Sequence, residues 1–309
     1  MAGNTVYLVT GANRGIGAGI VSALLKRPNS TVIATARDLS KFSSSSSASG
    51  EEIAAPGSKV IPFFLDEDRP EISSSTLGAR LEAEQGITSL NVVIANAGSS
   101  SGFYDVANTE AEGVTYDLNV NAVGVVKLFK AVWPLLDDAA PATSSGEGTK
   151  KEKKFVVISS SMGSMGCLLA EAEATGQMVP GVAYGMSKAA VNFFCVRVAG
   201  EFKGRGLLVG VLHPGWVKTD MGQSFADAAG YSGEIPTDVP SSAKGIVERK
   251  SRPIRYGSRY MGGNMLIYAA SGITPGTAKK LVVVHDRPSL GSLGVRSASQ
   301  PASSVQLGF

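Results

Sequence analysis

The stretch TVYLVTGANRGIGAGIVSALL, Thr5 to Leu25, decides how this chain is read. An apolar run of strand length breaks at a glycine-rich turn and resumes as apolar residues at helical spacing. Glycines at 11, 15 and 17 allow a tight turn and let main-chain N–H groups and a helix N-terminus approach a diphosphate. The spacing Gly-x-x-x-Gly-x-Gly departs from the usual dinucleotide fingerprint and from the phosphate loop of nucleotide hydrolases, and no Gly-Lys-Ser/Thr follows it. A strand-to-helix turn can need glycine merely for positive φ. The loop therefore argues for an anion through its position after the first strand of a sheet.

That sheet is legible further along the chain. STVIATA from Ser30, KVIPFFLD from Lys59, LNVVIANA from Leu90, KFVVISS from Lys154 and LLVGVL from Leu207 are short runs rich in Val, Ile and Leu. Each reads as a strand buried on both faces. Between them, Ile16 to Leu25, Thr76 to Gln85, Ala111 to Leu136 and Tyr184 to Phe202 carry helical spacing. Strand and helix alternate throughout, which predicts a single α/β domain with a doubly wound, mostly parallel sheet and helices on both faces. The domain is expected over residues 1–273, with a last strand over Asn264 to Ala270 and a poorly ordered tail over 274–309. Lys41 to Glu52 and Ala142 to Lys154, rich in Ser, Gly or Lys, read as surface loops.

Composition narrows the function classes. Of 309 residues, 43% are hydrophobic and 18% charged, and the net charge of +3 lies along no aromatic or apolar stripe, so no nucleic-acid partner is expected. No apolar run approaches the roughly twenty residues of a membrane span, and a strand begins too soon for a signal peptide, so the expectation is a cytoplasmic protein without a membrane partner. Cys167 and Cys195, with no metal-ligand spacing, read as reduced structural thiols, and no metal site is expected.

The cofactor is discriminated at the end of the second strand, where an acid would accept from a ribose 2′-OH and an arginine would pair with a 2′-phosphate. Arg37 stands there, and Arg14 in the glycine loop adds a second guanidinium, which favours NADP over NAD. The competing reading pairs Arg37 with Asp38 on the surface. Asp66 and Asn96 close the third and fourth strands, where such a sheet binds its ligand, and read either as flanking the adenine and its ribose or as turn residues.

The chemistry is carried by Tyr184 and Lys188 in YGMSK, one helical turn apart on one face. A phenol of pKa near 10 is a poor proton donor, and a neighbouring ammonium is expected to lower that value while also holding the nicotinamide ribose. Ser160, after the fifth strand, is placed to bind the reacting oxygen, and Asn121 to hold a proton-relaying water with its amide. Spacing alone leaves Ser159, Ser161 and Asn119 as rivals.

TGANRGIG, ANAG, the Asn121 helix, Ser160, YGMSK and HPGWVKTDM occur in this order from about Thr5 to Met221, and together they resemble the short-chain dehydrogenase/reductase family. The opening TVYLVTG and the RPNSTVIA segment are similar to fungal ketoreductases of the norsolorinic-acid-reductase type. The resemblance selects Ser160, three before Gly163, and Asn121, three before Gly124, and implies a tetrad of Asn121, Ser160, Tyr184 and Lys188. It implies a Rossmann-type fold, a homodimer or homotetramer, and NADP held by Gly11, Arg14, Gly15, Ile16, Gly17, Arg37, Asp66, Asn96, Tyr184, Lys188, Pro214, Val217 and Thr219. Met221 to Pro240 would be a mobile substrate lid. The activity implied is NADPH-dependent reduction of a ketone or aldehyde to an alcohol. Two other readings compete: a hydrolase using Ser160 and His213, disfavoured because no Gly-x-Ser-x-Gly elbow is present, and a non-catalytic NADP-binding sensor or scaffold.

Overall fold

In the computed structural model, strand β1 (Thr5–Val9) sends Leu8 into one apolar layer and Tyr7 and Val9 into another, as a strand covered on both faces must. The structure describes residues 4–43, 54–67, 69, 71, 73–137, 153–202, 205–248 and 265–269. Beside β1 lie β2 (Ser30–Ala36) and β3 (Lys59–Phe64) on one side. On the other lie β4 (Val92–Ala95), β5 (Lys153–Ile158), β6 (Leu207–His213) and β7 (Met265–Ala269). The order is β3-β2-β1-β4-β5-β6-β7 and every pairing is parallel. The direction of winding reverses between β1 and β4, which opens a crevice at their carboxyl ends. The fold expectation is met.

Helices cover both faces. α3 (Ser74–Gln85), α5 (Gly124–Leu136) and α7 (Val182–Glu201) pack on the face that takes Leu8, and α1 (Gly15–Leu25) and α9 (Val239–Glu248) on the face that takes Val9. The other helices are α2 (Ser40–Ser43), α4 (Ala111–Leu118), α6 (Met165–Thr175) and α8 (Asp220–Ala228).

Several details differ from the sequence-based expectation. β3 is half-exposed rather than covered on both faces, because it is the sheet edge; Pro62, which has no N–H for a ladder, is tolerated there. The helix expected over Ala111 to Leu136 is interrupted by a π-helical turn, Asn119–Val123, between α4 and α5. The connection from Ser160 to Tyr184 contains α6, none of whose residues is fully buried. The expected lid is built on α8 and the start of α9. Lys153 and Lys154 open β5 instead of ending a loop. Lys153 is buried, its Nζ donating to Ser89 Oγ and Leu90 O, so the stem of the lysine crosses apolar ground to reach polar partners. The last strand falls within the expected span, with Met265 opposite Val209. The expected tail over 274–309 lies outside the described residues. Among the described residues, no helix is long and apolar enough to cross a membrane, no cluster of side chains could hold a metal, and both cysteines are free thiols.

Phe155 is fully buried on central β5, with its ring edge-on to Phe129 at 5.1 Å. Truncation of Phe155 to alanine is expected to lower unfolding free energy by about 3–5 kcal/mol, read as a lower urea midpoint at unchanged slope.

Candidate active site

The turn from β1 into α1 is shaped by contacts in which no side chain fits. A Cβ on Gly17 would lie 2.1 Å from Gly11 O and 2.6 Å from Asn96 Nδ2. Asn96 accounts for that crowding: its amide donates to Thr10 O at 3.0 Å and Gly11 O at 3.1 Å, and its N–H to Thr10 Oγ1. Its amide protons are therefore committed to stapling the loop to β4. No side chain caps α1, so its first N–H groups face the crevice, and the nearest atom to a Cβ on Gly15 would be Thr219 Cγ2 at 3.5 Å. An uncapped helix N-terminus after a glycine turn is the donor set that a diphosphate requires.

Thr219 caps α8, accepting from Gly222 N–H at 3.1 Å, and so brings the lid helix to the glycine loop. Val217 is buried and bridges Thr237, and Pro214 O accepts from Ser242 Oγ at 2.8 Å, which pins this segment to α9. Ile16 lies in the first turn of α1, partly covered by the core. Arg37 is exposed at the end of β2; Asp38 turns instead to the N–H and hydroxyl of Ser40. Asp66 is buried at the end of β3, with Arg69 Nε 3.4 Å away. Arg14 Nη1 pairs with Asp220 Oδ2 at 2.9 Å, both side chains exposed.

At the neighbouring strand ends, α7 presents Tyr184 and Lys188. Lys188 Nζ is buried 5.4 Å from the Tyr184 ring centroid and donates to Ile158 O at 3.1 Å. Among the three serines after β5, Ser160 is the one whose hydroxyl bears on the Tyr184 phenol, favouring its ionised form. Ser159 Oγ is instead 2.6 Å from Asn192 Oδ1, and Ser161 N–H donates to His213 Nδ1 at 3.2 Å. Asn121 is buried and Asn119 exposed. The Asn121 amide donates to Ser99 O at 2.8 Å and Ser187 Oγ at 2.9 Å, while its Oδ1 accepts from Ser99 N–H. Both amide protons are thus used in joining the β4 loop to α7, so the expected hold on a water falls to the second lone pair of Oδ1. A Cβ on Gly98 would lie 3.1 Å from Asn121 Oδ1 and 3.5 Å from Lys188 Nζ, which places both at one point of the crevice.

The electrostatics reverse the expected acidification. Burial pushes the Tyr184 phenol up to about 12; the Ser160 hydroxyl opposes this, and the negative charge of Asp117 adds to it. Burial also lowers the Lys188 ammonium to about 8, against the pull of Asp117. Removing a phenolate from water is the largest influence on Tyr184, ahead of Ser160 and Asp117. Asp117, fully buried on α4 and raised by that burial, accepts from Ser101 N–H at 2.8 Å and Ser101 Oγ at 3.2 Å. Its position four residues before Asn121 was the available signal for it. His213 is lowered to about 4 by burial, so it is neutral and accepts a main-chain N–H, which removes the Ser160–His213 pair of a hydrolase. Phe103, Phe225, Trp216 and Tyr231 form a row of ring contacts outward from Tyr184. Phe225 stands on α8 and the other three on loops, so no shared periodicity announces this row.

The family model for short chain dehydrogenases matches residues 5–230. The chain is 34% identical to norsolorinic acid ketoreductase of Dothistroma septosporum over 79% of this chain and 84% of that protein. It is also 34% identical to norsolorinic acid ketoreductase of Aspergillus parasiticus, over 79% and 82%. Among solved structures, NADPH-bound carbonyl reductase from chicken fatty liver superposes with a TM-score of 0.60 at 27% identity, covering 79% of this chain and 90% of that one. Carbonyl reductase Sniffer of D. melanogaster does so with 0.62 at 27% identity, covering 87% and 97%.

Proposed function

Since the chain belongs to the short-chain dehydrogenase family, we propose that it is an NADPH-dependent reductase converting a ketone or aldehyde to an alcohol. The observation that carries this reading is the buried Lys188 ammonium 5.4 Å from the Tyr184 ring, with Ser160 bearing on the phenol, at the same strand ends as the uncapped glycine loop. Bound NADPH supplies a hydride to the carbonyl carbon. Ser160 holds the carbonyl oxygen and Tyr184 delivers the proton to it. A phenol held near 12 is fully protonated at neutral pH, and so is loaded for donation. Lys188 keeps one donor on Ile158 O and directs its charge at the forming oxyanion and the nicotinamide ribose. Gly11, Gly15, Ile16 and Gly17 hold the diphosphate, Thr219 borders it, Pro214 and Val217 border the nicotinamide, and Asp66 and Asn96 line the adenosine end. Arg37 and Arg14 select the 2′-phosphate. The NADPH-bound carbonyl reductase among the solved neighbours supports that cofactor. The exposed side chains of Tyr116, Val123 and Phe193 on neighbouring helices support a homodimer or homotetramer. The catalytic unit is taken to span 1–273.

The test is NADPH consumption by purified protein over a panel of isatin, phenanthrenequinone, benzaldehyde and acetophenone; no turnover on any of them would count against the reading. Replacing Tyr184 by phenylalanine lowers kcat by on the order of 10²–10⁴-fold while NADPH affinity, followed by cofactor fluorescence, stays within about twofold. Arg37→Asp raises the KM for NADPH and lowers that for NADH, and an unchanged ratio would remove Arg37 from cofactor choice. The alkaline limb of the pH–rate profile is set by Lys188, not Tyr184. The ammonium is charged below about 8 and lost above it, so kcat/KM for reduction falls as pH rises through about 8. A rate level to pH 10, about two pH units above the lysine, would contradict this.

A further inference from the structure

Ser160 can act only if its loop is held at a fixed distance from Tyr184, and the two residues come from different elements, β5 and α7. Asn192 connects them. It stands four residues after Lys188 and eight after Tyr184, on the same face of α7. Its Oδ1 is 2.6 Å from Ser159 Oγ, immediately before Ser160, and its Nδ2 donates to Gly163 O at 3.2 Å, three residues after it. The orientation of the amide is unambiguous, because the Gly163 carbonyl can only accept; Oδ1 therefore takes the Ser159 hydroxyl proton. Between these two anchors Ser160 is extended at φ −148°, and its Oγ accepts from Met162 N–H as the turn Ser161–Gly163 begins. The turn lies directly on the helix: a Cβ on Gly163 would be 2.6 Å from Lys188 C and 2.8 Å from Lys188 Cβ.

We propose that Asn192 is a positioning residue for Ser160, bracketing its loop so that one rigid helix sets the places of the proton donor, the ammonium and the oxygen-binding hydroxyl. Both amide ends of Asn192 are used within the protein, so it acts through the loop and not on substrate. His213 Nδ1, which takes Ser161 N–H, is a separate anchor from β6, so loss of the Asn192 bonds loosens the loop rather than releasing it. The inference rests on the reductase reading above.

The test is a double-mutant cycle in single-turnover NADPH oxidation, using whichever panel carbonyl the wild type reduces. Asn192→Leu, close in size and unable to bond either anchor, lowers the hydride-transfer rate by on the order of 10²-fold, the scale of a misplacement near 1 Å, with NADPH affinity within about twofold. In the Ser160→Ala background the same change lowers the rate by less than about threefold, because the group being positioned is already gone. An equal factor in both backgrounds would overturn the inference, as would an Asn192→Leu enzyme of wild-type rate. If Ser160→Ala is too slow to follow, Ser159→Ala replaces it: that variant alone loses part of the rate, and adding Asn192→Leu takes it no lower than Asn192→Leu itself. Full multiplication of the two losses would likewise overturn the inference. An inactive wild type would defeat the reductase reading, whereas an active wild type with independent losses would defeat only the role of Asn192.

Discussion

A buried ammonium ion organises the catalytic end of this molecule. Lys188 is only 4% exposed, and an unpaired charge in such a place is strongly disfavoured, so its surroundings must supply polar partners. Ile158 O at the end of β5 accepts from it, and Asp117, on a helix packed against α7, contributes negative charge. The remaining neighbours must come close without bulk, which is why glycine stands at position 163, where a side chain would enter the space of Lys188, and at 98, where it would crowd Asn121 Oδ1. Neither glycine has a positive φ to explain it; the packing around the lysine does.

The same economy of space explains why polar side chains here act as fasteners. Asn96 ties the glycine loop to β4, Asn121 ties the β4 loop to α7, and Asn192 ties the serine loop to α7. Each joins backbone at a strand's carboxyl end to another element, where ladder hydrogen bonding has stopped and main-chain groups would otherwise lack partners. The π-helical turn around Asn121 belongs to this pattern, since such turns gather where a helix must present one residue out of ordinary register. A rigid frame results, on which a row of aromatic contacts runs from Tyr184 through Phe103 to Phe225 of the lid helix.

Much of this is legible in the residues alone. The apolar runs mark the strands within a few residues, because covered parallel strands must be apolar throughout, and the glycine spacing with YGMSK places both ends of the crevice. What stays hidden depends on three-dimensional neighbours. β3 carries the same kind of sequence as β2, and its exposure follows from sheet order, which no local pattern encodes. α6 lies in a stretch whose glycine and glutamates resemble loop. The choice of Ser160 over Ser159 and Ser161 needs the family resemblance, since adjacent residues differ only in what they face: here Tyr184, Asn192 and His213 respectively. Asn192 and Asp117 escape a sequence-based search because a helical polar residue usually faces water.

The direction of the Tyr184 shift bears on the chemistry itself. An ammonium at i+4 is expected to make the phenol acidic when both groups are hydrated and the Coulomb energy dominates. In this crevice Lys188 is buried and Tyr184 partly so, desolvation acts against each charged form, and the phenol rises while the ammonium falls. Charge separation between them is therefore disfavoured until a third group carries negative charge. In the proposed carbonyl reduction that group would be the substrate oxygen, which becomes anionic as hydride arrives. A tyrosine that gave up its proton only to such an oxyanion, and not to solvent, would couple the two transfers. The raised value is thus compatible with fast reduction at neutral pH, whereas oxidation of an alcohol would first require the phenolate that burial opposes.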